Sequence, residues 1–206
     1  LWESIEGKTI GLSYFKERGF NEKTIRLFDL GYALKKFDNL YNESLRCGYE
    51  KEYLLETGLV MKNERGYIDR FRGRVIFPIK SMSGRILGFG ARTLNTLLNT
   101  AKYLNSPESE TYSKGEVLYG LYEAKKAIAR EDSCYLVEGY TDVIQMYQKG
   151  IENTVSSSGT ALTIHQIRLI RRLTQNIVVL FDGDSAGQKA AIRGIDLILQ
   201  EGMNVR

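Results

Sequence analysis

The hydrophobic and polar positions change period twice along the chain. Residues 1–60 carry apolar side chains at helical spacing, interrupted by glycines. The pattern over residues 12–18 stops at Gly19, and Asn21 can cap a following segment that presents Ile25, Phe28 and Leu30 before Gly31. Two shorter patterns, residues 40–47 and 53–55, end at Gly48 and Gly58. From Met61 the period becomes that of strands: residues 66–69, 74–80 and 85–92 predict a meander with a hairpin at Ser83-Gly84. After about residue 130 the pattern changes again. Residues 134–137 and 177–181 are unbroken apolar runs, which predicts strands covered on both faces, as in a parallel sheet. Between them lie a helix-length segment (143–149), a short run (153–155) and a second helix-length segment (161–173), an alternation of strand and helix. The fold class expected is α/β: a mixed α+β region of helical hairpins and basic meander over residues 1–130, then a parallel sheet with covering helices over 131–206.

Each long apolar run ends on carboxylates: the first on Glu138-Gly139-Tyr140-Thr141-Asp142, the second on Asp182-Gly183-Asp184. Ligands of parallel sheets bind beyond the carboxyl ends of the strands, so Glu138, Asp182 and Asp184 are expected to converge on one crevice. Carboxylates that close repel one another unless a cation lies between them. Mg²⁺ suits such a set, because it takes oxygen ligands and shares one or two carboxylates with substrate phosphates. Read alone, Asp184 or Ser185 could do no more than cap the next helix.

Composition narrows the class. At 206 residues with 43% hydrophobic, the chain can bury a core of one or two domains. No apolar run approaches the ~20 residues of a membrane span. Cys47 and Cys134 stand far apart and offer neither a disulfide framework nor a zinc site, which fits a reducing cytoplasm. The chain starts at Leu1 and stops at Arg206 soon after a helical pattern, as an excised core would. Net charge is only +4, but residues 62–114 hold ten Lys and Arg against four Asp and Glu, leaving the remainder two negative. Positive charge is concentrated in the meander.

Two sets of motifs carry a resemblance. E-G-x-x-D (Glu138, Gly139, Asp142) and D-G-D-x-A-G (residues 182–187) resemble the Toprim domain shared by bacterial primases, type IA and II topoisomerases and some nucleases. R-F-R-G-R-V-I-F-P-I (70–79), G-x-I-x-G-F-G-x-R (84–92), K-Y-L-N-S-P-E (102–108) and K-G-x-x-L-Y-G-L (114–121) resemble the catalytic core of DnaG-type primases, from about residue 14 to the end. The resemblance implies a Toprim fold and a cytoplasmic DNA-dependent RNA polymerase that lays short primers on a single-stranded DNA template from ribonucleoside triphosphates. It implies Mg²⁺ or Mn²⁺ at Glu138, Asp182 and Asp184, with Asp142 beside them. Arg18, Arg92, Lys102, Asn105 and Lys114 would line the groove for template and nucleotides. The family's downstream aspartates lie past Arg206, and its zinc-binding and helicase-binding modules are outside this chain, so weak activity is expected.

Other chemistries fit less well. Residues 183–187 satisfy the hydrolase pattern G-x-S-x-G, but the single histidine, His165, precedes the serine. Gly88-Phe89-Gly90 lacks the third glycine of a dinucleotide fingerprint, since Thr93 stands there, and residues 183–189 fail the spacing of a phosphate-binding P-loop. Residues 156–160 could cradle a phosphate, though a plain polar loop accounts for them. A Toprim nuclease or topoisomerase is the nearest enzymatic rival, although none of the thirteen tyrosines is marked as a nucleophile. A nucleic-acid-binding module with idle acids is the non-enzymatic one.

Overall fold

The computed structural model describes residues 1–64, 66–95 and 101–206. Its contacts divide the chain into two compact units, Leu1–Pro78 with Leu87–Ser113, and Ile79–Ile86 with Lys114–Arg206. A single cut near residue 130 does not describe this grouping, because the hairpin tip and residues 114–131 go with the second unit.

In the first unit a π-helical stretch, Gly7–Leu12, runs into α1 (Ser13–Glu17) and is followed by α2 (Glu22–Leu27). Asn21 caps α2 by accepting the Thr24 N–H at 2.8 Å. Next come β1 (Gly31–Ala33), α3 (Asn39–Arg46), α4 (Lys51–Glu56), β2 (Val60–Asn63) and β3 (Gly66–Asp69). The chain continues through β4 (Arg74–Lys80), β5 (Ile86–Thr93) and β6 (Tyr103–Asn105). The expected meander is in fact two sheets. β2 and β3 form a separate antiparallel ribbon, while the main sheet runs β1-β4-β5-β6. β1 lies in a stretch that sequence alone assigned to helices, and it pairs antiparallel with β4, Gly31 opposite Ile76. At three residues it is too short to display a period. The core forms around Phe15, which meets Phe77 edge-on at 5.9 Å and stacks on Phe20 at 6.2 Å.

Beyond the hairpin tip, the second unit continues with a 3₁₀ turn at Lys114–Glu116 and α5 (Leu121–Glu131). It then alternates β7 (Cys134–Val137), α6 (Tyr140–Gln148), β8 (Thr154–Ser156), α7 (Ile164–Arg171), β9 (Asn176–Leu180), α8 (Ser185–Gln200) and β10 (Asn204–Val205). The order is β10-β9-β7-β8, with every pair parallel. β10, unforeseen in the sequence, adds to β9 with Val205 opposite Ile177. Cys134 and Leu136, two apart on one face of β7, join a core cluster with Leu121, Ile128, Ile170 and Ile198. Burying each such Leu or Ile contributes about 1.5–3 kcal/mol. β9 departs from the expectation of burial on both faces, since Leu180 at its carboxyl end is 45% exposed. α5 enters through Gly120 at φ 80°, where a Cβ would stand 2.5 Å from Val143 Cγ1. The hairpin tip is fastened to α5 by a buried Lys80–Glu123 ion pair at 2.9 Å and by Lys125 Nζ donating to the Met82 carbonyl at 2.7 Å. No helix among the described residues is long and apolar enough to cross a membrane.

Candidate active site

β7 and β9 are neighbours with Val137 opposite Leu180, so the residues that follow them emerge side by side at the carboxyl edge of the sheet. Glu138 crosses that gap: its Oε1 accepts the Asp182 N–H at 2.9 Å. The first turn of α8 closes over the pair. At Gly187 a Cβ would lie 2.2 Å from the Asp182 carbonyl oxygen and 2.7 Å from Glu138 Oε1, so only a glycine permits this approach. Asp184 Oδ1 accepts the Gly187 N–H at 2.7 Å and thereby caps α8, the role this segment could have when read alone. Glu138 and Asp184 line one cavity of about 440 Å³. Ser157, Gly159 and Thr160 form its polar wall, Phe181 and Leu197 an apolar one, and Arg193 a positive contribution.

The expected convergence of three acids is only partly present. Asp182 and Asp184 are exposed, and Asp182 is not among the residues lining the cavity. Asp142 is engaged otherwise: its Oδ2 accepts the Gly139 N–H at 3.0 Å, fastening the start of α6. Among the described residues no group of three or more His, Cys, Asp or Glu stands close enough to hold a metal ion. The physical reason lies in the donors at these strand-to-helix turns. Like charges repel, and the main-chain N–H groups of Asp182, Gly139 and Gly187 attract one carboxylate each. A hard cation still fits the donor set, because two carboxylates lining one cavity, with water and phosphate oxygens, make up a usual Mg²⁺ shell.

In the first unit the structure brings Arg18 and Arg92 together. Both guanidinium groups lie over the Tyr14 ring, at 5.3 and 5.5 Å, and Arg92 also donates to the Tyr103 hydroxyl at 3.1 Å. Burial pushes the Tyr14 phenol up, with Arg18 and Arg92 opposing the shift. Lys102 is exposed immediately before Tyr103, and the segment leading into β6 is held by Arg74, a buried residue that donates to the Ala101 carbonyl at 3.0 Å and the Lys102 carbonyl at 3.4 Å. Asn105 lies in β6 opposite Gly90 of β5. Lys114 belongs to the second unit, where its carbonyl accepts from Gln166 Nε2 at 3.1 Å. The positioning roles of Arg74 and Gln166 carry no sequence signal, since each acts on main-chain atoms distant along the chain. The loop 156–160, which could be read as plain, lines the cavity through three of its residues. Its signal was the Ser/Gly run after a strand.

The rival motifs find no support. His165 is exposed on α7 and lines a different depression with Glu116 and Arg168, and Gly88-Phe89-Gly90 lies inside β5 rather than in a phosphate loop.

Comparison with known proteins gives matching results for the two parts. Residues 3–125 match the family model described as DNA primase catalytic core, N-terminal domain, and residues 135–206 match a Toprim-like model. The DNA primase of Clostridium acetobutylicum is 40% identical over the whole of this chain, which covers 34% of that protein. A crystal structure of the Aquifex aeolicus primase, comprising its zinc-binding and RNA polymerase domains, superposes with a TM-score of 0.90 at 40% identity, over 96% of this chain and 48% of that one. A DnaG primase catalytic domain bound to single-stranded DNA gives 0.85 at 38% identity, over 96% and 62%. The chain thus spans about a third of the length of the curated relatives it matches.

Proposed function

Since the chain belongs to the DNA primase catalytic core family, we propose that it carries the nucleotidyl-transfer site of a DnaG-type primase, an enzyme that joins ribonucleotides into short primers on single-stranded DNA. The observation that carries this reading is the shared cavity of Glu138 and Asp184 at the carboxyl edge of a parallel sheet. In this reading Glu138 and Asp184, with Asp182 beside them, hold Mg²⁺ or Mn²⁺. An ion held by these residues would lower the charge of the triphosphate and would assist the attacking 3′-hydroxyl and the departing pyrophosphate.

The remaining work belongs to the chain's own side chains. The 3′-oxygen of the primer attacks the α-phosphorus of the incoming nucleotide, the bond to pyrophosphate breaks, and the hydroxyl proton goes to solvent or a neighbouring base. Arg18 and Arg92, stiffened by the ring they share, and Lys102, Asn105 and Lys114 hold phosphates without reading sequence. Template affinity should therefore fall steeply as salt rises. Zinc and the replicative helicase would be engaged by modules outside these residues. The single-stranded DNA in a similar catalytic domain supports the choice of template.

Primer synthesis on single-stranded DNA tests the proposal, using this chain and a longer one that continues past Arg206. Glu138→Gln should lower the rate by about a hundredfold, and Lys102→Ala should weaken template binding and flatten its salt dependence by about one unit of slope. Primer synthesis by Glu138→Gln at the wild-type rate would overturn the assignment. Relaxation of supercoiled DNA by the same preparation would favour a topoisomerase.

A further inference from the structure

Ser156 is the last residue of β8 and is completely buried. Its main chain is satisfied on both sides by Tyr119, with bonds of 3.1 and 2.9 Å. Its hydroxyl makes a different set of contacts. The β7–β8 ladder ends at Val137 opposite Ser156, and one residue further on the Ser156 hydroxyl donates to the Glu138 carbonyl at 2.7 Å. The same oxygen accepts the Ser158 N–H at 2.8 Å and lies 3.2 Å from Ser158 Oγ. Ser158 has φ 56°, a left-handed conformation that a residue with a side chain keeps only when its surroundings hold it. The loop so held presents Ser157, Gly159 and Thr160 to the cavity that Glu138 and Asp184 line.

These bonds join three strand ends. From β8, Ser156 holds the main chain of Glu138, and from β9 the Asp182 N–H holds its carboxylate. We propose that Ser156 is a positioning residue, which fixes Glu138 where strand pairing has stopped and fixes the cavity's polar wall with the same hydroxyl. The proposal rests on the reading of Glu138 as a metal-holding acid. A carboxylate whose backbone is already fixed gives up less freedom when a cation binds, so loss of the hydroxyl should appear as weaker metal affinity.

Direct Mn²⁺ binding, followed by electron paramagnetic resonance on the whole chain, tests this without recourse to polymerisation. Ser156→Ala should raise the Mn²⁺ Kd roughly threefold to tenfold, the range expected for one hydrogen bond. Ser156→Cys, close in size and a weaker donor, should fall between wild type and alanine and covers the case in which alanine folds poorly. Thr154→Val is the control: it removes a buried hydroxyl from the other end of the same strand, where Thr154 Oγ1 donates to the Ile151 carbonyl at 3.0 Å. It should lower stability and leave Mn²⁺ binding alone. An unchanged Kd in Ser156→Ala, or an equal loss in Thr154→Val, overturns the proposal. Glu138→Gln separates the two layers of the argument. If it abolishes binding while Ser156→Ala does not weaken it, only the positioning role falls; if it binds Mn²⁺ like wild type, the metal reading falls and takes the positioning role with it.

Discussion

Two glycines of α8 should respond in opposite directions to the same substitution. Replacing a glycine inside a helix by alanine ordinarily stabilises by about 1 kcal/mol. Gly194 meets that expectation, since its added Cβ would find Leu162 Cδ2 at 3.5 Å, an ordinary contact. Gly187 does not. Its Cβ would stand 2.2 Å from the Asp182 carbonyl oxygen, over an ångström inside normal contact, and that oxygen belongs to the backbone and cannot rotate aside. Overpacking of this kind costs about 1–3 kcal/mol, and displacing the first turn of α8 also strains the 2.9 Å bond from Asp182 N–H to Glu138, worth about another 1 kcal/mol. Set against the helix gain, Gly187→Ala should destabilise by about 1–3 kcal/mol. For a chain of this length each kcal/mol moves Tm by about 2–4 °C. Thermal unfolding should then place Gly194→Ala above wild type and Gly187→Ala several degrees below it, and Gly187→Ala should also bind Mn²⁺ more weakly. A Gly187→Ala protein that melts as high as Gly194→Ala would refute the close approach of α8 to Glu138.

Two further outcomes follow from buried charge. The Lys80–Glu123 pair has side chains only 7% and 4% exposed, so Lys80→Met alone should cost about 3–5 kcal/mol by stranding the carboxylate. Adding Glu123→Leu should restore most of that loss in urea unfolding, whereas a double variant no better than the single would show that the pair's charge is not what matters. Asp69 concerns pH: burial raises its carboxyl pKa even though it accepts the Leu40 and Tyr41 N–H groups at 2.6 and 3.1 Å. The folded state then holds the proton to higher pH than the unfolded state, and this group's contribution to stability is present below the ordinary Asp value of about 3.9 and is lost as pH rises through the raised folded value. The denaturant midpoint of wild type relative to that of Asp69→Asn should decline over that interval; a relative increase would contradict the burial effect.

Much of the second unit is legible in the sequence because its two longest strands, β7 and β9, lie on unbroken apolar runs, each followed by a turn and a helical period. Glu138, Asp182 and Asp184 are found the same way, as the polar residues that follow such runs in a parallel sheet. Short elements are less visible. β1 and β10, of three and two residues, exist because longer neighbours offer them hydrogen bonds, and nothing in their own side chains announces them. Asp142 illustrates a different limit: the motif places it beside the acids, and only the geometry shows its carboxylate closing on the Gly139 N–H at the start of α6.

Sequence by itself therefore determined the strand and helix alternation, the concentration of positive charge in residues 62–114 and the acids at the strand ends, since these depend on local spacing and composition. Tertiary structure decided which partners those residues take. It placed Gly187 against Glu138, set Ser156 beneath the same residue, gathered Arg18 and Arg92 on Tyr14, and joined the hairpin tip to α5 through Lys80 and Glu123. Apart from Arg18 over Tyr14, a contact within one helical stretch, these contacts join residues far apart in sequence, and which of them close depends on the packing of whole elements rather than on the order of residues within any one.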